Sequence, residues 1–294
     1  MIIARTIAEV RAAVAALRQE GRCIGLVPTM GALHAGHLSL VRAAKAQCSG
    51  VVASIFVNPT QFAPGEDFEK YPRTFEADCK LLEAEGVDVL FAPSVEEMYL
   101  EGATTFVAVA GIEDRLDGAS RPGHFRGVAT VVAKLFNIVE PNHAFFGQKD
   151  AAQVAILRRM VRDLNFNVEL VVCPTVREPD GLAMSSRNRY LSPEQRQSAL
   201  VLNRALHRVE AKVAAGVIDA QPLVDAGLAV LAEEPEIRLD YFRIVDPDTL
   251  EDVPDVSAGA LVAVAAFVGP ARLIDNAVIP KRLEAGGGKL EAVD

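Results

Sequence analysis

Apolar residues along the first 175 positions alternate between two spacings. Ile7, Val10, Val14 and Leu17 recur at helical spacing across residues 7–20, and the run Cys-Ile-Gly-Leu-Val at 23–27, bounded by Gly21 and Pro28, reads as a short buried strand. The alternation continues with helices over 37–47, 74–85, 127–139 and 150–163, and strands over 51–57, 87–91, 143–146 and 168–173. Continuously apolar strands need cover on both faces, so the pattern predicts a doubly wound parallel α/β sheet of Rossmann type. From about residue 176 the pattern changes. A loop rich in Ser, Arg and Asn leads to helices over 193–215 and 221–233 and strand-like runs over 238–245 and 260–268, which predicts a smaller C-terminal α+β domain with antiparallel strands. Residues 281–294 contain Gly-Gly-Gly and polar residues and read as a frayed tail. The expected division is therefore 1–175, 176–280 and 281–294.

Composition agrees with two domains: 294 residues at about 150 per domain give that number. Half of the residues are hydrophobic and 23% are charged, ordinary values for a globular protein and far from those of a disordered chain. The net charge of −9, with no block of Lys or Arg, argues against a phosphate-tracking nucleic-acid surface. Apolar runs such as 261–268 fall well short of the ~20 residues needed to cross a bilayer, so no membrane association is expected. The first ten residues lack the apolar core and cleavage site of a signal peptide. Cys23, Cys48, Cys79 and Cys173 lie far apart in sequence without a C-x-x-C pair, and read as reduced, buried thiols. The expected location is cytoplasmic.

The segment Val27-Pro-Thr-Met-Gly-Ala-Leu-His-Ala-Gly-His-Leu-Ser-Leu-Val41 changes the picture most. It sets Gly31, Gly36, His34 and His37 between a buried strand and an amphipathic helix, where ligands bind in a doubly wound sheet. A helix N-terminus favours phosphate, glycines let the backbone approach a ligand, and two imidazoles can donate to phosphoryl oxygens. A P-loop is absent, so the pairing suits an ATP site of another kind. His34 and His37 could equally cap the helix and pack. Zinc is a weaker reading, because H-x-x-H has no obvious third ligand. Gly147-Gln-Lys-Asp150 opens a second helix at the same sheet edge: Lys149 can neutralise phosphate, Asp150 can cap or bind ribose, and Gln153 shares its face. Asn58 and Gln61 end the strand over 51–57 with amides that both donate and accept. Arg121, His124 and Arg126, grouped in an acidic chain, form a candidate anion guide or simply a solvated loop.

His34-Ala-Gly-His37 resembles the H-x-G-H element of the nucleotidylyltransferases, and its context is similar to the pantoate–β-alanine ligase family. Ser54-Ile-Phe-Val-Asn-Pro-Thr-Gln-Phe, Tyr71-Pro-Arg-Thr, Gly118-Ala-Ser-Arg-Pro-Gly-His-Phe-Arg-Gly-Val, Phe146-Gly-Gln-Lys-Asp, Met184-Ser-Ser-Arg-Asn and Arg272-Leu-Ile-Asp-Asn follow in that family's order. The resemblance covers residues 1 to about 280. It implies a nucleotidylyltransferase-type sheet and condensation of (R)-pantoate with β-alanine through a bound pantoyl adenylate, with release of pyrophosphate and AMP. ATP is implied to contact Met30, Gly31, Ala32, Leu33, His34, Ala35, Gly36 and His37, then Gly147, Gln148, Lys149 and Asp150, then Val176, Met184, Ser185, Ser186 and Arg187. His37 is implied to donate a proton, with His34, Lys149, Ser185, Ser186 and Arg187 stabilising charge. Gln61 and Gln153 are implied to hold pantoate, and Gln61 later β-alanine, with Asn58 beside it and Tyr71 and Arg121 bordering the site. Mg²⁺ is expected with ATP, largely on the phosphates, and Asp78 is a weak protein candidate for it. The family also implies a homodimer through the N-terminal domain.

One departure stands out. The loop at 183–187 reads Ala-Met-Ser-Ser-Arg where synthetases carry K-M-S-K-S, so Arg187 replaces lysine as the phosphate fork. Rival readings are a simple nucleotidyltransferase without use for an amine, a tRNA-binding synthetase, which the negative charge opposes, and a non-catalytic nucleotide sensor.

Overall fold

The computed structural model describes residues 1–63, 65, 66 and 68–281. Six parallel strands form the larger sheet: β1 (Ile2–Ala4), β2 (Ile24–Thr29), β3 (Gly50–Ile55), β4 (Val89–Phe91), β5 (His143–Gly147) and β6 (Glu169–Cys173), in the order β1-β4-β3-β2-β5-β6. The helices α1 (Ile7–Gln19), α6 (His124–Val139) and α7 (Ala151–Asp163) cover one face, where Val10, Val14, Phe125, Ile156 and Leu157 share a core with Leu26 and Phe91. Helices α2 (Ala35–Gln47) and α3 (Phe75–Ala84) cover the other, packing Leu40, Val41 and Leu82 against Val27, Val51, Leu90 and Phe145. Short helices α4 (Val95–Met98) and α5 (Asp117–Ser120) lie in the long β4–α6 connection.

The order reverses between β2 and β5. From β2 the chain winds outward through β3 and β4, then returns to place β5 on the opposite side of β2. The crevice beyond the carboxyl ends of these two strands is the topological switch point, and the loops after β2 and β5 both open into it.

The second sheet is antiparallel, β7 (Arg238–Val245), β8 (Ala260–Val268) and β9 (Ala271–Ile279), packed on α8 (Pro193–Ala214) and α9 (Ala220–Leu231). Its core joins Val201, Leu202 and Leu223 to Val262 and Val264. Ser192 and Gln195 form a capping box that starts α8, with Pro193 at the first helical position.

The expected helices and strands are present within a few residues, and α6 begins three residues earlier than expected. Two strands went unpredicted. β1 has only three residues, too few to show a period. In β9, Asp275 and Asn276 are buried among apolar neighbours, 4% and 6% exposed, and break the alternation. The expected tail over 281–294 lies outside the described residues apart from Lys281.

Candidate active site

The loop between β2 and α2 is held from beneath. The buried Asp78 carboxylate accepts from the Ala32 and Leu33 amides, both at 2.9 Å, and Gly31 donates to the Thr29 hydroxyl at 3.1 Å. Gly31 and Ala32 both have positive φ, 82° and 50°, so the turn is tight and glycine is favoured at its first position. The Ala32 and Leu33 amides point back to Asp78, and Gly31, Ala32 and Leu33 are buried residues that shape the turn. Asp78, further bonded by the Thr74 hydroxyl at 3.2 Å, is a structural anchor for that loop and not a free metal ligand.

The anchored turn delivers His34 as the N-cap of α2, its Nδ1 accepting from the Gly36 amide at 3.2 Å. With Nδ1 accepting, neutral His34 carries its proton on Nε2. The His34 and His37 rings lie 4.1 Å apart between centroids. Burial, aided by Lys149, lowers the His34 pKa, and burial plus the neighbouring His34 pushes His37 down to about 3. Both imidazoles are therefore neutral near pH 7. His37 Nδ1 is buried without a hydrogen-bond partner among the described residues. A buried polar atom in this state costs free energy that an incoming ligand can recover.

Lys149 stands in the 3₁₀ turn Gln148–Asp150 after β5, 3.7 Å from Asp150 Oδ1. This turn is clasped by β9: Asn276 Nδ2 donates to the Gln148 and Lys149 carbonyls at 3.0 and 2.9 Å, while Gln148 Nε2 donates to Asn276 Oδ1 at 3.0 Å. Gln148, expected to touch ATP through its segment, thus has its side chain turned to β9. Next on the strand, Asp275 receives Arg177 bidentately at 2.6 and 3.0 Å. Arg177 opens the hairpin-like segment that returns through Met184, whose amide donates to the Val176 carbonyl at 3.0 Å. Ser185 then caps the turn Ser186–Tyr190, accepting from the Arg187 amide at 3.3 Å. Arg177, Asp275 and Asn276 carried no role in the sequence reading; a buried Asp-Asn pair inside an apolar strand was the available signal.

Two clefts of about 710 Å³ meet at these loops. One is lined by Met30, His34, Gly36, His37, Tyr71, Gly147, Val176 and the run Met184 to Arg187. The other is lined by Arg121, His124, Gln153 and Arg272. Lys149, Asp150, Ser185 and Arg187 belong to both and form their common wall. Gln61 lies close by, its Nε2 3.2 Å from Met30 Sδ of the first cleft and its carbonyl 2.8 Å from His124 Nδ1 of the second.

Three expected substrate residues are engaged within the protein. Asn58, 1% exposed, donates to Gln61 Oε1 and the Gly127 carbonyl, and its Oδ1 accepts from Thr60 and Tyr99. Asn58 therefore fixes Gln61 in place instead of facing the cleft as a free amide. Gly127 allows this packing, since a Cβ there would lie 2.3 Å from the Thr60 carbonyl oxygen. Arg121 is paired bidentately with Glu66 at 2.7 Å, and contacts His124 at 3.1 Å. Burial and Arg121 push the His124 pKa down to about 4. Tyr71 is buried, 5% exposed, at the rim of the first cleft.

A pattern described as Pantoate-beta-alanine ligase matches residues 2–278. The chain belongs to the pantoate–β-alanine ligase family. A curated pantothenate synthetase of Acidobacterium capsulatum is 67% identical over 287 residues, covering 94% of this chain and 96% of that protein. Another, from Koribacter versatilis, is 61% identical over 98% of this chain and 99% of its own length. Among solved structures, the pantothenate synthetase of Thermus thermophilus superposes with a TM-score of 0.90 at 53% identity, covering 95% of this chain and all of that one. A pantoate-beta-alanine ligase from Francisella tularensis, described as complexed with beta-gamma ATP and beta-alanine, gives a TM-score of 0.77 at 35% identity, covering 95% and 97%. The two clefts of this family member share a wall formed by Lys149, Asp150, Ser185 and Arg187.

Proposed function

We propose that this chain joins (R)-pantoate to β-alanine at the expense of ATP, in two steps at the junction of the clefts. The observation that supports the reading is the shared wall, because Lys149, Ser185 and Arg187 line both clefts and could serve a nucleotide in one and an acid in the other. ATP lies in the first cleft, its phosphates towards His34, His37, Lys149, Ser185, Ser186 and Arg187, with Met30, Gly36, Gly147, Val176 and Met184 around it. Pantoate is held by Gln61 and Gln153. Its carboxylate oxygen attacks the α-phosphorus, the bond to the β-phosphate oxygen breaks, and pyrophosphate leaves carrying the displaced pair. The neutral amine of β-alanine then attacks the acyl carbon of the adenylate, losing a proton as AMP departs.

Holding carboxylate and phosphorus in line accounts for much of the acceleration, and fixed donors stabilise the charge that develops on the phosphates. Neutral His34 and His37 serve as such donors. The triphosphate's negative charge opposes the burial that keeps His37 neutral, raising its pKa towards a proton-donating role. Mg²⁺ enters with ATP as part of that substrate, with phosphate oxygens as its main ligands. Its charge neutralises the leaving pyrophosphate. The segment from Arg177 to Arg187 is proposed to close over the adenylate and exclude water, the smaller domain acting as a lid. A cytoplasmic homodimer formed through the larger sheet completes the proposal; no described helix is long and apolar enough to cross a membrane.

Exchange of labelled pyrophosphate into ATP, dependent on pantoate and Mg²⁺, tests the first step, and AMP release on addition of β-alanine tests the second. Background exchange with all components present would sink the adenylate route. Exchange without amine-dependent AMP release would favour a simple nucleotidyltransferase.

A further inference from the structure

At the amino ends of the strands, on the sheet edge opposite the clefts, three soft or borderline donors converge. Cys23 precedes β2, Cys48 precedes β3 and His143 begins β5, so the three come from adjacent strands in the order β3-β2-β5. The Cys23 and Cys48 sulfurs are 3.4 Å apart, and one donor atom from each of the three residues falls within 4.8 Å of the others. A tetrahedral zinc site with bonds of about 2.3 Å to sulfur has its sulfurs about 3.8 Å apart, so small side-chain rotations would suffice.

The strands hold these residues in register. Ile24 pairs with Gly50 and Gly25 with His143, which ties all three to the same end of the sheet. Gly25 makes room for Cys48, since a Cβ there would lie 3.1 Å from its sulfur. His143 Nδ1 is buried without a hydrogen bond among the described residues and sits 3.4 Å from a carboxylate oxygen of the exposed Glu169, the kind of neighbour that orients a ligating imidazole. Cys48 is buried while Cys23 is partly exposed, which leaves a path for an ion.

We propose that Cys23, Cys48 and His143 form a binding site for a thiophilic divalent cation of the zinc type, separate from the reaction clefts. Two thiol protons go to solvent as two thiolate–metal bonds form, the imidazole contributes a lone pair, and a water fills the fourth position; nothing is oxidised. Two thiolates and one divalent cation leave the site without net charge, which suits its partial burial. The cation would tie three central strands together far from the substrates.

The test uses the full chain, reduced and freed of metal, titrated with Co²⁺ and then Zn²⁺. A single equivalent of Co²⁺ producing the intense thiolate-to-cobalt charge-transfer band, bleached by Zn²⁺, is the expected result. His34 and His37 could bind Co²⁺ but contribute no sulfur, so the band distinguishes the sites. Cys23→Ser, at the more exposed position, should lose the band while pyrophosphate exchange persists, and His143→Gln should weaken Co²⁺ binding at least tenfold. No sulfur band in the reduced wild type, or a band unaltered in both variants, overturns the proposal. So does a Cys23–Cys48 disulfide in the protein as purified, if reduction of that bond restores no Co²⁺ uptake.

Discussion

At the residue scale the proposed site is marked by groups kept neutral or left partly unsatisfied. His37 is the clearest case, with a buried Nδ1 lacking a partner among the described residues and a pKa pushed down to about 3 by burial and His34. His37→Ala and Lys149→Ala should each reduce pyrophosphate exchange by about 10²–10³-fold, the usual effect of deleting a donor aimed at developing charge. Far-ultraviolet circular dichroism and the melting temperature should stay near wild type, because both residues border an open cleft; unfolding of both variants would mark them as structural. The same burial predicts a pH dependence of stability. His37 and His124 are neutral in the folded protein, with pKa values of about 3 and about 4, against 6.5 when solvated. Below pH 6.5 the unfolded chain takes up protons that the folded one refuses, so their contribution is complete above that pH and is lost as pH falls towards 4 and 3. Urea midpoints measured from pH 7 to pH 4 should fall less steeply for His124→Asn than for wild type. Parallel slopes would show that His124 does not carry this linkage.

At the scale of elements, what the sequence made legible follows from how each signal is written. Helical and buried-strand periods are local, so α1, α2, α7 and the central strands could be read directly, and the segments at 34–37 and 147–150 announced a switch-point site. The engagement of Asn58 and Asp78 could not be read, because it depends on partners distant in the chain: Asn58 bonds Gly127 and Tyr99, and Asp78 bonds the turn at 32–33. Cys23 and Cys48, separated in sequence, have sulfurs 3.4 Å apart for the same reason. β9 shows most plainly how such distant bonding serves the site. Its Asn276 holds two carbonyls of the Lys149 turn, and Asp275 holds Arg177 at the start of the segment that returns through Met184 to Arg187, so one strand sets both halves of the shared wall. Asn276→Asp preserves size but turns an acceptor towards the Gln148 and Lys149 carbonyls. It should raise the KM for ATP by about tenfold or more and cost about 1–3 kcal/mol of stability, the range for a buried group left unsatisfied. An unchanged KM for ATP, with only the melting temperature reduced, would confine β9 to a scaffolding role.

For the molecule as a whole, charge and exposure point to different surfaces. The net charge is −9, while Lys149 and Arg187 gather at one crevice beside two neutral imidazoles, so substrate anions meet a local pair of cations in an otherwise acidic protein. Exposed apolar residues lie elsewhere, and two of them are adjacent on a sheet edge. β1 is an edge strand of the larger sheet, and Ile2 and Ile3 are 58% and 45% exposed on it. Uncovered apolar edges invite pairing with another chain, and a second copy laid along this region would cover it without touching clefts that are built from one chain. Sedimentation velocity on the full chain should therefore give twice 31.5 kDa at micromolar concentration. Ile3→Lys should shift the population towards monomer through a charge placed at the contact, while pantoate-dependent pyrophosphate exchange per chain is retained. A dimer undisturbed by Ile3→Lys would move the interface away from β1, and a monomeric wild type would remove the dimer from the proposal altogether.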